Sequence, residues 1–235
     1  MNNRFLRSIS SAAFALLLAV TGSGLARAAP EQLPAHSSAY SGYAQLTARW
    51  LEWIIAIPAA SSPLIDDTGA NAAVGQSGKV WFLAGTIFTG AATRSVTVPA
   101  GTALFFPIVN YFWLNTPEYG DPAWSPSHEA SVRSLLASHV ATAHSLLLEI
   151  DGRAVQDVDK LRVSGAVGQC TVPPSKDDNI FGIDLQPGLH ECVADGYWAL
   201  LPPLSVGHHT IRFTGGLSSA GFSLDVTYNI TVTPR

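Results

Sequence analysis

Seven histidines, seventeen carboxylates and two cysteines are the groups in this 235-residue chain that could do chemistry. Their spacing narrows the choices quickly. His128-Glu129 starts like a zinc-protease helix, but the second histidine belongs four residues on, where Val132 stands. His139 and His144 are five apart, about 140° around a helix, and cannot share an ion. His208 and His209 are neighbours on a predicted strand and point to opposite faces. No metal site is predicted. Gly216-Leu217-Ser218-Ser219-Ala220-Gly221 misses the nucleophile elbow by one residue and lies between strands. Gly78-Lys79 lacks the spaced glycine and the hydroxyl of a phosphate loop, and no cofactor motif is present.

Carboxylates are the remaining catalytic route. Two acids about 5–10 Å apart in a cleft can cleave a glycosidic bond. Asp66, Asp67, Glu118, Asp121, Glu129 and Asp195 lie in or beside loops rich in tryptophan and tyrosine. Asp195 with His209 is the first pair to examine, since both flank the Tyr197–Phe213 hairpin. Asp66 and Glu129 complete the catalytic candidates. Neither Asp66-Asp67 nor Asp177-Asp178 has the alternating acids of a calcium loop.

The ring-bearing residues offer a second kind of chemistry, recognition. Charged residues make up 13% of the chain, against roughly 25% in ordinary soluble domains. Aromatic faces bury large areas and keep a polar handle, which suits sugars and protein partners. Residues 110–127 read as an aromatic loop. Trp113, Tyr119 and Trp124 are its predicted contacts, with Asn110 and Tyr111 beside them.

The elements that must position these groups begin with a leader. Arg4 and Arg7 precede an apolar run over Ala12–Val20, and Ala26-Arg27-Ala28 is a small-x-small cleavage pattern. Residues 1–28 therefore read as a signal peptide, 29–39 as a flexible leader and 40–235 as one domain. Cleavage removes three arginines and leaves ten basic residues against seventeen acidic, a net charge of about −7. Such a chain does not attract nucleic acid, and no later apolar run is long enough for a transmembrane helix. The expected location is periplasmic or secreted. Cys170 and Cys192 are expected to pair there, closing a 22-residue loop.

Helices are predicted near 41–57 and 127–144. The first rests on Tyr43, Leu46, Trp50, Trp53, Ile54 and Ile57 at helical spacing, stopped by Pro58. Strands are predicted at 80–84, 95–98, 104–109, 146–150, 197–201, 209–213 and 222–232. The last alternates strictly over eleven residues, so one of its faces is buried. Pro107 cannot donate to a ladder, so its strand is an edge there or bulges. Gly215-Gly216 and Ser218-Ser219 read as a loop. With no βαβ rhythm, the fold class is mainly β: an antiparallel β-sandwich, jelly-roll-like, with two α-helices.

Three strings carry a resemblance. They are Trp50-x-x-Trp53-x-x-x-Ile57-Pro58, Gly75-Gln76-x-Gly78-x-Val80-Trp81-Phe82-Leu83-Ala84-Gly85-Thr86, and Val98-Pro99-Ala100-Gly101-x-Ala103-Leu104-Phe105-Phe106-Pro107-Ile108. Asp195-Gly196-Tyr197-Trp198 continues them. With these the chain resembles a family of secreted bacterial proteins that has no established activity. The resemblance implies export and no particular reaction. Relatives carry cysteines near positions 73 and 95; here Ala73 and Ser95 stand instead, so a loop-to-strand disulfide is missing.

Two function classes follow. One is a non-catalytic exported or envelope-associated sandwich that recognises a glycan, a polymer or a protein partner. The other is a secreted hydrolase or lyase using loop carboxylates or an Asp–His pair.

Overall fold

A computed structural model describes residues 39–234. The predicted signal peptide, 1–28, and all of the predicted leader but residue 39 lie outside the described residues; Ala39 begins the first helix. Helix α1 (Ala39–Ala56) is followed by β1 (Val80–Phe82), β2 (Gly90–Pro99) and β3 (Ala103–Leu114). Helix α2 (Pro126–Val140) precedes β4 (Ala143–Ile150), β5 (Arg153–Ala154), β6 (Arg162–Ser164) and β7 (Gly168–Thr171). The chain closes with β8 (Leu189–Leu201), β9 (Gly207–Leu217) and β10 (Phe222–Thr233).

These strands form two five-stranded sheets packed as a sandwich. One runs β1-β3-β8-β6, with β7 also on β8; the other runs β2-β10-β9-β4-β5. Most pairings are antiparallel, but β1 with β3 and β2 with β10 are parallel. The core between the sheets is built from inward residues of both: Leu104, Phe106, Ile108 and Leu201 face Ile211, Phe213, Val226 and Tyr228. The predicted alternation of β10 is therefore real, with its even positions inside.

The first sheet is covered on both faces. Its outer face packs on α1, because Tyr43, Trp50, Leu51, Ile54 and Ile55 form one apolar stripe. Trp198 stacks on Phe105 at 5.4 Å and meets Trp50 edge-on at 5.5 Å. Pro58 ends the stripe, since the residue before a proline is pushed out of the helical region.

Several local readings are corrected. Strand β3 runs on to Leu114, so Asn110–Leu114 belong to it and not to an aromatic loop. Helix α2 stops at Val140, short of residue 144, because the Thr142 side chain and N–H both bond His139 O and turn the chain. His144 is thereby placed on β4. Gly215 and Gly216 lie inside β9; a Cβ on Gly215 would sit 2.8 Å from that of Val109 on the facing sheet. Close packing, not a turn, requires that glycine.

The loop before β1 is held by backbone contacts with β2. Ser95 N–H donates to Thr68 O at 2.9 Å, and Gly69, at φ +93°, lies against the Ser95 backbone where no Cβ would fit. The expected disulfide is present: Cys170 and Cys192 join β7 to β8 with both cysteines fully buried. Asn179 orders the loop that this bond closes. Its amide donates to Pro173 O, Ser175 O and Ile183 O and accepts from the Phe181 and Gly182 N–H groups.

Candidate functional site

The parallel ladder between β1 and β3 is short for an identifiable reason. Ala103 N–H donates to Lys79 O, and Leu83 N–H donates to Phe105 O at 3.1 Å. The next bond in a parallel ladder would run from the N–H of residue 107 to Leu83 O. Residue 107 is proline and has no N–H. Leu83 O instead accepts the Trp50 indole N–H at 2.9 Å. One residue on, Ala84 is drawn toward the second sheet. Its N–H donates to the Tyr228 hydroxyl and its C=O accepts from Tyr228 and from Arg94. The chain therefore leaves β3 at residue 83.

What opens is a cleft of about 450 Å³ along the side of β3. Ile54 and Ile55 of α1 and Leu64 line one wall; Leu217, Phe222 and Leu224 line the other. Gly85, Thr86 and Ile87 line it as the chain departs from β1, with Ile180 contributed by the disulfide-closed loop. Pro107, Asn110, Tyr111 and Phe112 of β3 also line it. No Asp, Glu, Lys or Arg is among the lining residues.

The β3 register shifts by one residue between Pro107 and Val109, as the proline led us to expect. The bulge exchanges the faces of the strand. Phe105 points to α1 and Phe106 to the other sheet, whereas beyond the bulge Phe112 and Leu114 point to α1 and Tyr111 and Trp113 away. Asn110 and Tyr111 thus flank the strand on opposite sides. Neither the Asn110 amide nor the Tyr111 hydroxyl has a hydrogen-bond partner among the described residues. The Tyr111 ring stacks on His139 at 4.1 Å, and His139 Nδ1 lies 2.9 Å from Ser219 Oγ.

The five predicted contact residues are thus divided. Asn110 and Tyr111 line the cleft. Trp113 and Trp124 pack beside His128 in a small cluster with Val132, Leu136 and Val193. Tyr119 is exposed, and its hydroxyl donates to Asp184 O at 2.5 Å.

The structure does not bring Asp195 and His209 together. Asp195, buried on β8, takes a bidentate ion pair from Arg162, at 3.1 Å from Nε and 2.8 Å from Nη2. That contact lifts the Arg162 pKa above its ordinary value, the hydrogen bond to Asp195 outweighing burial. His209 sits on β9 with Asp151 Oδ2 2.9 Å from Nδ1 and both Ser205 O and Ser205 Oγ near Nε2. Asp, His and Ser here make a closed buckle. The imidazole is 4% exposed and both nitrogens are occupied, so no ring face is left for a substrate. Asp66 accepts the Thr68 and Asn71 N–H groups, and Glu129 pairs with Arg133 one helical turn away. Each catalytic candidate is committed to holding a loop, a strand or a helix.

Sequence reasoning missed Ile54, Ile55, Leu64, Ile180 and Leu224 as site residues. Their apolar character signals burial, and only the topology shows that part of that apolar surface is open. Pro107 was the available signal, since a proline inside an apolar strand marks where a ladder ends.

No family model and no curated protein matches the chain. Among solved structures, a chain from the structure of PbICP-C in complex with falcipain-2 aligns with 66% of this chain and 100% of its own length. The identity is 12% and the TM-score 0.24, too low for either fold detail or function to pass between the two.

Proposed function

We propose that this protein is a non-catalytic binding protein of the export compartment, and that the cleft beside β3 is its site. One observation carries the reading: a largely apolar cleft, lined by no Asp, Glu, Lys or Arg, in which the Asn110 amide and the Tyr111 hydroxyl have no hydrogen-bond partner among the described residues. A volume of about 450 Å³ lies in the ordinary range of ligand sites. Apolar walls supply affinity by burial, and a few unsatisfied polar groups fix orientation. An uncharged partner suits such a site better than a glycan, whose many hydroxyls need more partners than this lining offers. The leader and the buried disulfide support export, because cystines persist in oxidising compartments.

The test uses the full chain and the neutral dye N-phenyl-1-naphthylamine, which fluoresces in apolar surroundings. Gly85→Phe fills the cleft from its wall, where a Cβ would meet only Leu224 Cδ2 at 3.4 Å. Dye affinity is expected to fall at least about tenfold, or 1.4 kcal/mol, with the thermal midpoint unchanged. Equal affinity in a folded Gly85→Phe variant sinks the assignment.

A further inference from the structure

Main-chain direction along β8 identifies which backbone groups of β3 are free. Trp198 N–H donates to Leu161 O at 3.0 Å, and Ala194 C=O accepts from Gly165 N–H at 2.7 Å, both on the side away from β3. In a strand, the N–H and C=O of one residue point to one side and those of the next residue to the other. Val193, Asp195 and Tyr197 therefore face β3, opposite Trp113, Tyr111 and Val109. Asn115 N–H keeps the same parity, donating to Glu191 O at 2.8 Å. Asn110, Phe112 and Leu114 consequently turn their N–H and C=O groups toward the free side of the strand. Among the described residues no strand pairs with β3 there beyond Phe105, and no backbone bond uses those groups.

The neighbouring edges each carry a covering contact. Gln76 caps β1 by accepting Phe82 N–H and donating to Phe82 O at 2.9 and 2.7 Å. Thr68 takes the Ser95 N–H on β2. Proteins blunt exposed strand edges with charges, prolines or covering loops, because a bare edge recruits another strand. On β3, from Ile108 to Leu114 there is no charged residue and no proline.

Resting on the reading of the cleft as a binding site, we infer that its ligand is an extended, uncharged peptide segment of a partner protein, added as a strand to β3 at Asn110–Leu114. Its main chain bonds the outward groups of Asn110 and Phe112. Its side chains alternate between the Ile54–Ile55–Leu64 wall and the Leu217–Phe222–Leu224 wall. The lining has no Asp, Glu, Lys or Arg to neutralise an ionic side chain, and its one histidine, His139, is stacked on Tyr111 and bonded to Ser219, so charged residues are excluded from the paired positions. At about 3.3 Å per residue the edge accommodates roughly four to five residues. Asn110 and Tyr111 reach the segment from either side of the strand.

The test is amide exchange by NMR on the full chain, with an end-capped heptapeptide of alternating valine and threonine. Saturating peptide is expected to slow exchange at the Asn110 and Phe112 amides at least about tenfold, leaving Val109 and Tyr111 protected throughout. Peptides N-methylated at alternate positions give a second reading that needs no protein variant. Methylation of one parity abolishes binding, and methylation of the other leaves it within about threefold. Peptide binding without protection at 110 and 112, or without parity, overturns the inference. Protection already present without peptide also overturns it, assigning the edge to the chain's own leader or, where it rises with protein concentration, to a second copy. Dye binding without peptide binding overturns the inference while leaving the proposed function standing; loss of both removes both.

Discussion

Trp50 and Pro107 settle the fate of a single carbonyl. Pro107 has no N–H to give Leu83 O, and the Trp50 indole N–H, from a helix on the outer face of the sheet, bonds it at 2.9 Å. The β1 ladder stops at that point, and the cleft begins beside it. An apparent defect in a strand thus places a binding site, and a tryptophan buried in the core keeps the defect free of an orphaned acceptor.

Trp50→Phe removes that donor and leaves Leu83 O unpaired in a buried position. It is expected to cost about 1–3 kcal/mol beyond lost packing. Adding Pro107→Val supplies an N–H where the ladder lacks one. The double variant is expected to regain roughly 1 kcal/mol relative to Trp50→Phe alone, read from urea melts. No recovery, with residue 107 still exchanging freely, would show that the ladder ends for another reason.

The Tyr228 hydroxyl is saturated: it donates to Ala84 O and accepts from Ala84 N–H and Arg94 Nη1. Burial pushes its pKa up, with the Arg94 charge opposing. Arg94 is itself fully buried, holding Asp66 O through Nε, while its Nη2 has no partner among the described residues. Tyr228→Phe is expected to destabilise by about 1–3 kcal/mol, since it strands a buried N–H. Combined with Arg94→Met, the loss is expected to fall short of the sum by at least about 0.5 kcal/mol, because both side chains hold Ala84. Additive losses in the double-mutant cycle would contradict that coupling.

The sandwich was legible because period-two patterning marks a half-buried strand, as along Phe222–Val232, and because Trp50, Trp53 and Ile57 show a helical stripe. The site was half legible. Asn110 and Tyr111 stand out as polar or amphipathic residues beside an apolar run, and Pro107 marks the break. The remaining wall residues look like core in sequence because they are core over most of their surface. Short strands such as β6 and β7 escaped notice because three or four residues carry too little periodicity, and tertiary pairing with β8 makes them strands. The Asp195–His209 pairing failed for a topological reason: β8 and β9 do not form the expected hairpin but lie in different sheets, so the two residues find different partners.

Acid is expected to loosen the loop that approaches β2. Burial pushes the Asp66 carboxyl up, but hydrogen bonds from the Asn71 N–H and from Thr68 and Gly69 outweigh it and hold it below the ordinary carboxylate value. The Arg212 guanidinium lowers Asp225 likewise, chiefly by hydrogen bonding. A lowered folded value means that the stabilisation is complete above the unfolded value and is lost as pH falls through the folded one. The urea midpoint should therefore hold down to about pH 4 and decline below it. Asp66→Asn is expected to flatten part of that decline at any salt concentration. The Asp225 part should shrink in 1 M salt, about a 3 Å Debye length, since Arg212 and Asp225 are 42% and 43% exposed. An acid limb unchanged by both Asp66→Asn and Asp225→Asn would refute the assignment.

The Cys170–Cys192 bond should matter to ligand as well as to fold. It closes a span of 22 residues, worth about 3 kcal/mol in the chain-entropy treatment, and it anchors the four-residue β7. The same span carries Asn179, whose side chain clasps three carbonyls and positions the adjoining Ile180 on the cleft wall. Cys170→Ser with Cys192→Ser is expected to lower unfolding free energy by about 2–4 kcal/mol. Dye affinity should weaken with it under conditions where the variant is still folded, because freeing the span costs the cleft an apolar wall. Asn179→Ala separates the two effects: it keeps the disulfide, removes the side-chain bonds to Pro173 O and Ile183 O, and loosens Ile180. It should reduce dye affinity while costing less global stability than loss of the disulfide. Unchanged dye affinity in both variants would show that Ile180 contributes nothing to the site and would leave β3, α1 and the β9–β10 turn as its working walls.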